Sequence, residues 1–92
     1  MSSQEKFALA GGWSKYRDLT TEDKAVFDEA MKNHGDCVNY SPTSVSTQVV
    51  AELNFRFKCT ASIPPAEIVW KVIIEIFQPL KGEPYVYGII RI

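Results

Sequence analysis

The chain has 92 residues, enough for one domain around one hydrophobic core and too few for two. Hydrophobic residues make up 46% of it and aromatic residues 12%, which is typical of a folded protein rather than a disordered one. Ten basic and eleven acidic residues give a formal net charge of −1. Without a basic excess to bind phosphates, nucleic acid is not an expected partner.

The N-terminal residues 1–12 are mostly small or polar and end in a pair of glycines, which predicts a flexible arm. They contain no apolar run of seven residues, so we expect no secretory signal. Nowhere do eighteen apolar residues follow one another, so we expect no membrane-spanning segment and no membrane partner.

A helix is predicted over about 21–34, with Thr20 or Thr21 as its N-cap. The apolar residues that follow have the spacing of one helical stripe: Val26, Phe27, Ala30 and Met31. We expect His34 to lie in the last turn, where a basic side chain complements the helix dipole, and Gly35 to follow as the C′ residue.

Beyond the helix the hydrophobic period changes to two. Residues 43–50 form a β-prone run, and residues 53–61 alternate apolar with polar or charged side chains, as a half-buried strand does. If the two runs pair through a short connection, the hairpin tip falls near residues 50–52. Residues 48–51 would then stand at one end of the sheet.

Two further strands are predicted, in the segments 68–76 and 85–92. The prolines of "IPPAE" (63–67) end the strand before them, and "QPLKGEP" (78–84) is a turn by its proline and glycine content. One face of the first strand carries Ile68, Trp70, Val72, Ile74 and Ile76. One face of the last strand carries Val86, Ile90 and Ile92.

One helix followed by consecutive strands, all within residues 40–92, predicts a single α+β domain over 1–92. In it an antiparallel sheet of four to five strands wraps the helix. Alternate turns of a meander emerge at the same end of the sheet. We therefore expect the turn at 78–82 to lie beside residues 48–51, and the arm that ends at Gly12 to reach the same end.

The residues that carry catalytic or metal chemistry are sparse. Cys37 and Cys59 are predicted to be free thiols, since neither has a glycine-framed nucleophile motif and two cysteines make a poor disulfide framework. Free thiols favour the reducing cytoplasm, although removal of a signal peptide would leave secretion open. His34 has no partners at metal-ligand spacing. We predict no enzyme, no metal and no cofactor.

Three short motifs stand in a recognisable order: Gly11-Gly12 before the helix, Gln48-Val49-Val50-Ala51 after it, and Pro79-Leu80 in the last turn. In this arrangement the chain resembles the cystatin superfamily of cysteine-protease inhibitors over nearly its whole length. The lack of paired cysteines resembles its intracellular stefin branch. Glu52 departs from the family, which has glycine there, and Ala10 is smaller than the residue that many relatives carry. Pro79-Leu80 also departs, since many relatives have Pro-Trp in this turn and stefins have Leu-Pro.

The resemblance implies a cystatin-like fold and a reversible, tight-binding inhibitor that wedges the arm and two hairpins into the active-site cleft of a papain-like (cathepsin-type) protease. The residues that would contact the protease are Leu9, Ala10, Gly11, Gly12, Gln48, Val49, Val50, Ala51, Glu52, Pro79 and Leu80. The alternative is a non-inhibitory binding or structural module of the same fold, with Glu52 as the mark of lost inhibition. A monomer is expected, with a domain-swapped dimer as the second possibility.

Overall fold

A computed structural model of the chain describes residues 12–49, 53–65 and 68–92. Within these ranges one helix, α1 (Thr21–Lys32), precedes four strands: β1 (Asn39–Val49), β2 (Leu53–Ser62), β3 (Val69–Gln78) and β4 (Tyr85–Arg91). The strands form one antiparallel sheet in the order β1-β2-β3-β4, each strand pairing with its neighbour in sequence. The predicted α+β class, with a helix and an antiparallel sheet of four strands, is confirmed.

The helix begins where the sequence predicts. Thr20 is the N-cap, and its hydroxyl accepts from Asp23 N while the Asp23 carboxylate accepts from Thr20 N, which completes a capping box. The predicted C-terminal end is wrong by two residues. The helix ends at Lys32 with Asn33 as C-cap, and the backbone of Gly35 is not left-handed, so Gly35 is not a C′ glycine.

The core lies between α1 and one face of the sheet. Its buried members are Phe27, Ala30, Val45, Phe55, Phe57, Cys59, Ala61, Val72, Ile74 and Ile76. The rings of Phe27 and Phe57 meet edge to face with centroids 5.1 Å apart, which fixes the helix against the centre of β2. The period-two alternation predicted for β2 is confirmed. The prediction that the next strand begins at Ile68 is wrong, because β3 begins at Val69 and Ile68 lies before it with 64% of its surface exposed.

The prediction for the last strand is wrong because β4 contains an extra residue. Gly88 pairs with Glu75, but Val86 pairs with Ile76, so Tyr87 is left over as a bulge. Paired residues share a face, so the bulge keeps Val86 on the core side while Ile90, which pairs with Ile73, lies on the opposite side. This second side, which carries Arg56, Lys58 and Glu75, is called the outer face below.

A short N-terminal segment, residues 12–17, lies along the free edge of β1. Trp13 forms a bridge with Gln48 and Arg17 forms one with Val45, both antiparallel. The Arg17 and Val45 backbones exchange two hydrogen bonds of 2.9 Å. The segment therefore acts as a partial fifth strand, within the predicted range of four to five.

Candidate functional site: the loop end of the sheet

Both chain reversals that follow odd-numbered strands lie at one end of the sheet, called the loop end. Leu53, the first residue of β2, pairs with Val49 on one side and with Gln78 on the other. Next to Gln78, Phe77 pairs with Tyr85 at the start of β4. The connection between Val49 and Leu53 and the connection between Gln78 and Tyr85 therefore emerge side by side, as the sequence predicts.

The N-terminal segment leads to the same end. It runs antiparallel to β1, and the bridge from Trp13 to Gln48 lies one residue from the end of that strand. Gly12 precedes Trp13 and so lies next to the end of β1. The structure thus brings together described residues of all three predicted segments: Gly12, Gln48 with Val49, and Pro79 with Leu80.

Gln48 is half-buried and oriented by the neighbouring strand. Its side-chain Oε1 accepts a hydrogen bond of 3.1 Å from Nδ2 of Asn54, the residue with which it pairs in the ladder. The remaining predicted contact residues are Leu9, Ala10, Gly11, Val50, Ala51 and Glu52, and all six lie outside the described part of the chain. Their proposed contacts stay predictions.

The second connection, residues 79–84, is held by Gln78. Its side-chain Nε2 donates to the carbonyl oxygens of Pro79 at 3.0 Å and of Gly82 at 3.1 Å. Gly82 has φ 115°, a conformation that side-chain-bearing residues rarely adopt, so the turn needs glycine at this point. The hydrogen bonds from Gln78 and the conformation of Gly82 fix the backbone of the turn, and the Leu80 side chain remains 77% exposed.

An apolar side chain held on a fixed turn suits a contact surface. Leu80 keeps most of its area available for burial by a partner, and the turn that carries it has little freedom left to lose on binding. Two shallow depressions lie elsewhere, beside the helix, one lined by residues such as Leu19 and Lys24 and the other by Met31 and Tyr40 among others. Among the described residues that line them, none belongs to the loop end.

The two cysteines differ in their exposure to solvent. Cys59 lies in the core, where burial raises the pKa of its thiol to about 12, and Cys37 is exposed. Both are free, as predicted. A thiol with a raised pKa carries little thiolate at neutral pH, so Cys59 is a poor nucleophile.

His34 lies two residues beyond the helix and belongs to a small polar cluster. Its Nε2 and the Asp36 Oδ2 are 3.1 Å apart, and the Tyr40 hydroxyl donates to the same oxygen at 3.1 Å. Burial, followed by the Asp36 carboxylate, raises the pKa of Tyr40 to about 12. Within the described ranges, no group of three His, Cys, Asp or Glu side chains could hold a metal ion.

The outer face carries a set of side-chain contacts that the sequence does not reveal. The guanidinium of Arg56 stacks on the Trp13 ring, 4.1 Å from its centroid, and its Nε donates to Glu75 Oε2 at 3.3 Å. The part of the sequence that indicates these contacts is β2, where the polar residues Arg56 and Lys58 alternate with core residues. That alternation shows that they face away from the core, but not which aromatic residue covers them.

Comparison of the chain with protein-family models, with curated proteins and with solved structures finds no match. Among the described residues, no helix has the length and apolar character needed to cross a bilayer.

Proposed function

We propose that the chain is a reversible, tight-binding inhibitor of papain-like cysteine proteases, with the loop end as its contact surface. The observation that supports the proposal is the gathering of Gly12, Gln48 and Leu80 at one end of the sheet. These residues come from the three motifs that resemble the cystatin superfamily. Their convergence follows from backbone pairing, which is independent of the resemblance.

The mechanism is physical obstruction rather than chemistry. Burial of the exposed Leu80 side chain in a protease cleft removes it from water and so favours binding, and Gln48 lies at the same end of the sheet, beside the proposed contact. Gly12 has no side chain, so its backbone approaches the enzyme closely. Because Gln48 lies in β1 and the Gln78 side chain fixes the turn that carries Leu80, little ordering cost falls on these residues when they bind.

Titration of active papain with the protein tests the proposal. We expect residual activity to fall linearly to near zero at one equivalent, with the inhibitor recovered uncleaved. Leu80→Ala should weaken inhibition about tenfold, because loss of a well-buried interface leucine costs about 1–2 kcal/mol. It should leave the melting temperature within about 2 °C of the parent, since surface substitutions usually change stability by less than about 0.5 kcal/mol.

The matched control is Ile68→Ala. Ile68 is also an exposed aliphatic side chain, but it lies beside Val69, which pairs with Ser62 at the opposite end of the sheet. The control should inhibit like the parent protein. Equal losses in both variants, or a parent protein that leaves papain fully active, would reject the loop end as an inhibitory surface.

The alternative is a binding module of the same fold that does not inhibit, and Glu52, in place of the family glycine, favours it. The two functions separate in one experiment, since the alternative predicts full papain activity at any concentration of the protein. Size-exclusion chromatography at several concentrations distinguishes the expected monomer from a domain-swapped dimer.

A further inference from the structure

A line of contacts crosses the outer face of the sheet from β4 to the N-terminal segment. It begins at Gly88, where an added Cβ would lie 2.4 Å from Glu75 Oε1, so the absence of a side chain lets the Glu75 carboxylate lie over β4. Glu75 accepts from Arg56, and Arg56 stacks on Trp13. These four residues are called the outer-face latch.

The latch holds Arg56 on two sides. Glu75 is largely shielded, with 15% of its side chain exposed, and its carboxylate fixes the guanidinium edge from the β3 side. The Trp13 ring covers the guanidinium from the β1 side at 4.1 Å, well within the range of cation–π attraction. Arg56 is therefore a bridge between the sheet and the first described residues of the chain.

A second pair of the same type lies farther along the N-terminal segment. Lys58 Nζ lies 4.2 Å from the centroid of the Tyr16 ring, on the same strand and the same face as Arg56. The backbone between the two aromatic residues is already anchored, because Ser14 N donates to Thr47 O at 2.8 Å and Thr47 N donates to the Ser14 hydroxyl at 3.0 Å. Trp13 is the aromatic residue adjacent to Gly12.

We propose that Arg56 is a positioning residue for protease binding, acting through Trp13 to hold Gly12 beside the end of β1. This role rests on the proposed inhibitory function and concerns a residue outside the three motifs. Arg56 need not touch the protease. Its effect is to restrict the directions in which the chain leaves the sheet at Gly12, so that less freedom is lost when the arm engages the cleft.

The test compares Arg56→Met with Lys58→Met. Methionine keeps an unbranched apolar stem and removes the charge in both cases. Arg56→Met should raise the dissociation rate constant from papain about five- to tenfold, because under the proposed function a less restricted Gly12 weakens the contacts that hold the arm in the cleft. Lys58→Met should change it less than about twofold, since the backbone anchor at Ser14 and Thr47 separates Tyr16 from Gly12. Both variants should melt within about 5 °C of the parent protein.

Removal of residues 1–12 separates positioning from general structural damage. In the shortened chain there is nothing left to position, so Arg56→Met should change the dissociation rate constant less than about twofold. A loss of the same size in the full and the shortened chain would overturn the proposal, as would an unaffected rate constant in the full chain.

A readout without protease tests the contact itself. With Trp70 replaced by phenylalanine, Trp13 is the only tryptophan, and acrylamide quenching of its fluorescence should rise about twofold on Arg56→Met and stay unchanged on Lys58→Met. A parent protein that does not bind papain overturns the proposed function and the positioning role together. Normal binding with unchanged quenching overturns the latch alone.

Discussion

Replacing Asp23 by asparagine should destabilise the protein in a way that depends on pH. Asp23 is 6% exposed, and its carboxylate accepts hydrogen bonds from Arg17 Nη1, from Arg17 Nη2 at 3.3 Å and from Thr20 N at 2.8 Å. Burial by itself raises the pKa of Asp23, but the bonds from Arg17 and Thr20 outweigh it, and the net shift is downward. The ionised form is therefore the one that the fold stabilises.

The size of the effect follows from these bonds. The asparagine amide oxygen still accepts from Thr20 N, so part of the cap survives, but the charge that faces Arg17 is lost. Hydrogen bonds to a charged group are worth about 1.5–3 kcal/mol, and Arg17 is 42% exposed, which reduces its share. We expect a loss of about 1–2 kcal/mol at pH 7, or about 5–15 °C in melting temperature for a domain of this size.

The pH dependence has a definite sign. A carboxyl whose folded pKa lies below its unfolded value of about 3.9 stabilises the fold above that pH, and the contribution disappears as pH falls through the folded pKa. The melting-temperature gap between the parent protein and Asp23→Asn should therefore be constant from pH 8 to about pH 5 and shrink below about pH 4.

Asp28→Asn is the control, because it lies on the same helix in an exposed pair with Lys24 at 2.7 Å. Such a pair is worth about 0.3–0.5 kcal/mol, so the control should melt within a few degrees of the parent. Thermal unfolding followed by circular dichroism at pH 3, 5 and 7 measures both variants. A gap for Asp23→Asn that is as wide at pH 3 as at pH 7, or no larger than the gap for Asp28→Asn, would refute the reasoning.

Three further predictions concern single residues. Without added reductant, Cys37 should react with a thiol reagent in the native protein and Cys59 only after unfolding, since one is exposed and the other buried; an intact mass two hydrogens light would contradict this. Glu52→Gly, outside the described residues, should tighten papain inhibition under the proposed function, because it introduces the glycine that the resemblance implies and removes a charge; an unchanged inhibition constant would show that Glu52 carries no functional meaning. Gly88→Ala should displace the Glu75 carboxylate, whose Oε1 would lie 2.4 Å from the new Cβ, and so increase the quenching of Trp13 fluorescence. The free energy of unfolding should fall by about 1 kcal/mol or less, since the displaced group is the end of a flexible side chain and its pair with Arg56 is partly exposed. Unchanged quenching would show that Arg56 holds Trp13 without Glu75.

The strands were the most predictable part of the fold. The alternation from Leu53 to Ala61 predicts a half-buried strand because a sheet with one covered face requires a period of two. The same rule failed for β4, where one extra residue, Tyr87, reverses the phase. An isolated glycine within a strand is a known sign of a bulge, so Gly88 was the signal that could have corrected the prediction.

The position of the candidate site at one end of the sheet could be predicted, but the contacts that hold its residues in place could not. Prolines and glycines mark the turns, and a meander places alternate turns at the same end, so the position of Gln48 and Leu80 at one end of the sheet follows from chain order. The contact between the Arg56 guanidinium and the Trp13 ring could not be predicted. It depends on how the N-terminal segment, which has no hydrophobic period, lies against β1. The helix end was missed for a similar local reason, since Asn33 caps it without a left-handed residue.

The double pairing of Leu53, with Val49 on one side and Gln78 on the other, also separates the substitutions that change the surface from those that change the sheet. The distance between the strand ends Val49 and Gln78 is set by the spacing of hydrogen-bonded strands, about 4.8 Å for each pair, and not by the side chains of the turns. Replacement of a tip residue such as Leu80 alters what the surface prefers while the spacing stays the same. A substitution at Leu80 therefore changes the exposed surface, whereas a substitution that disturbs the pairing of Leu53 changes the stability of the sheet.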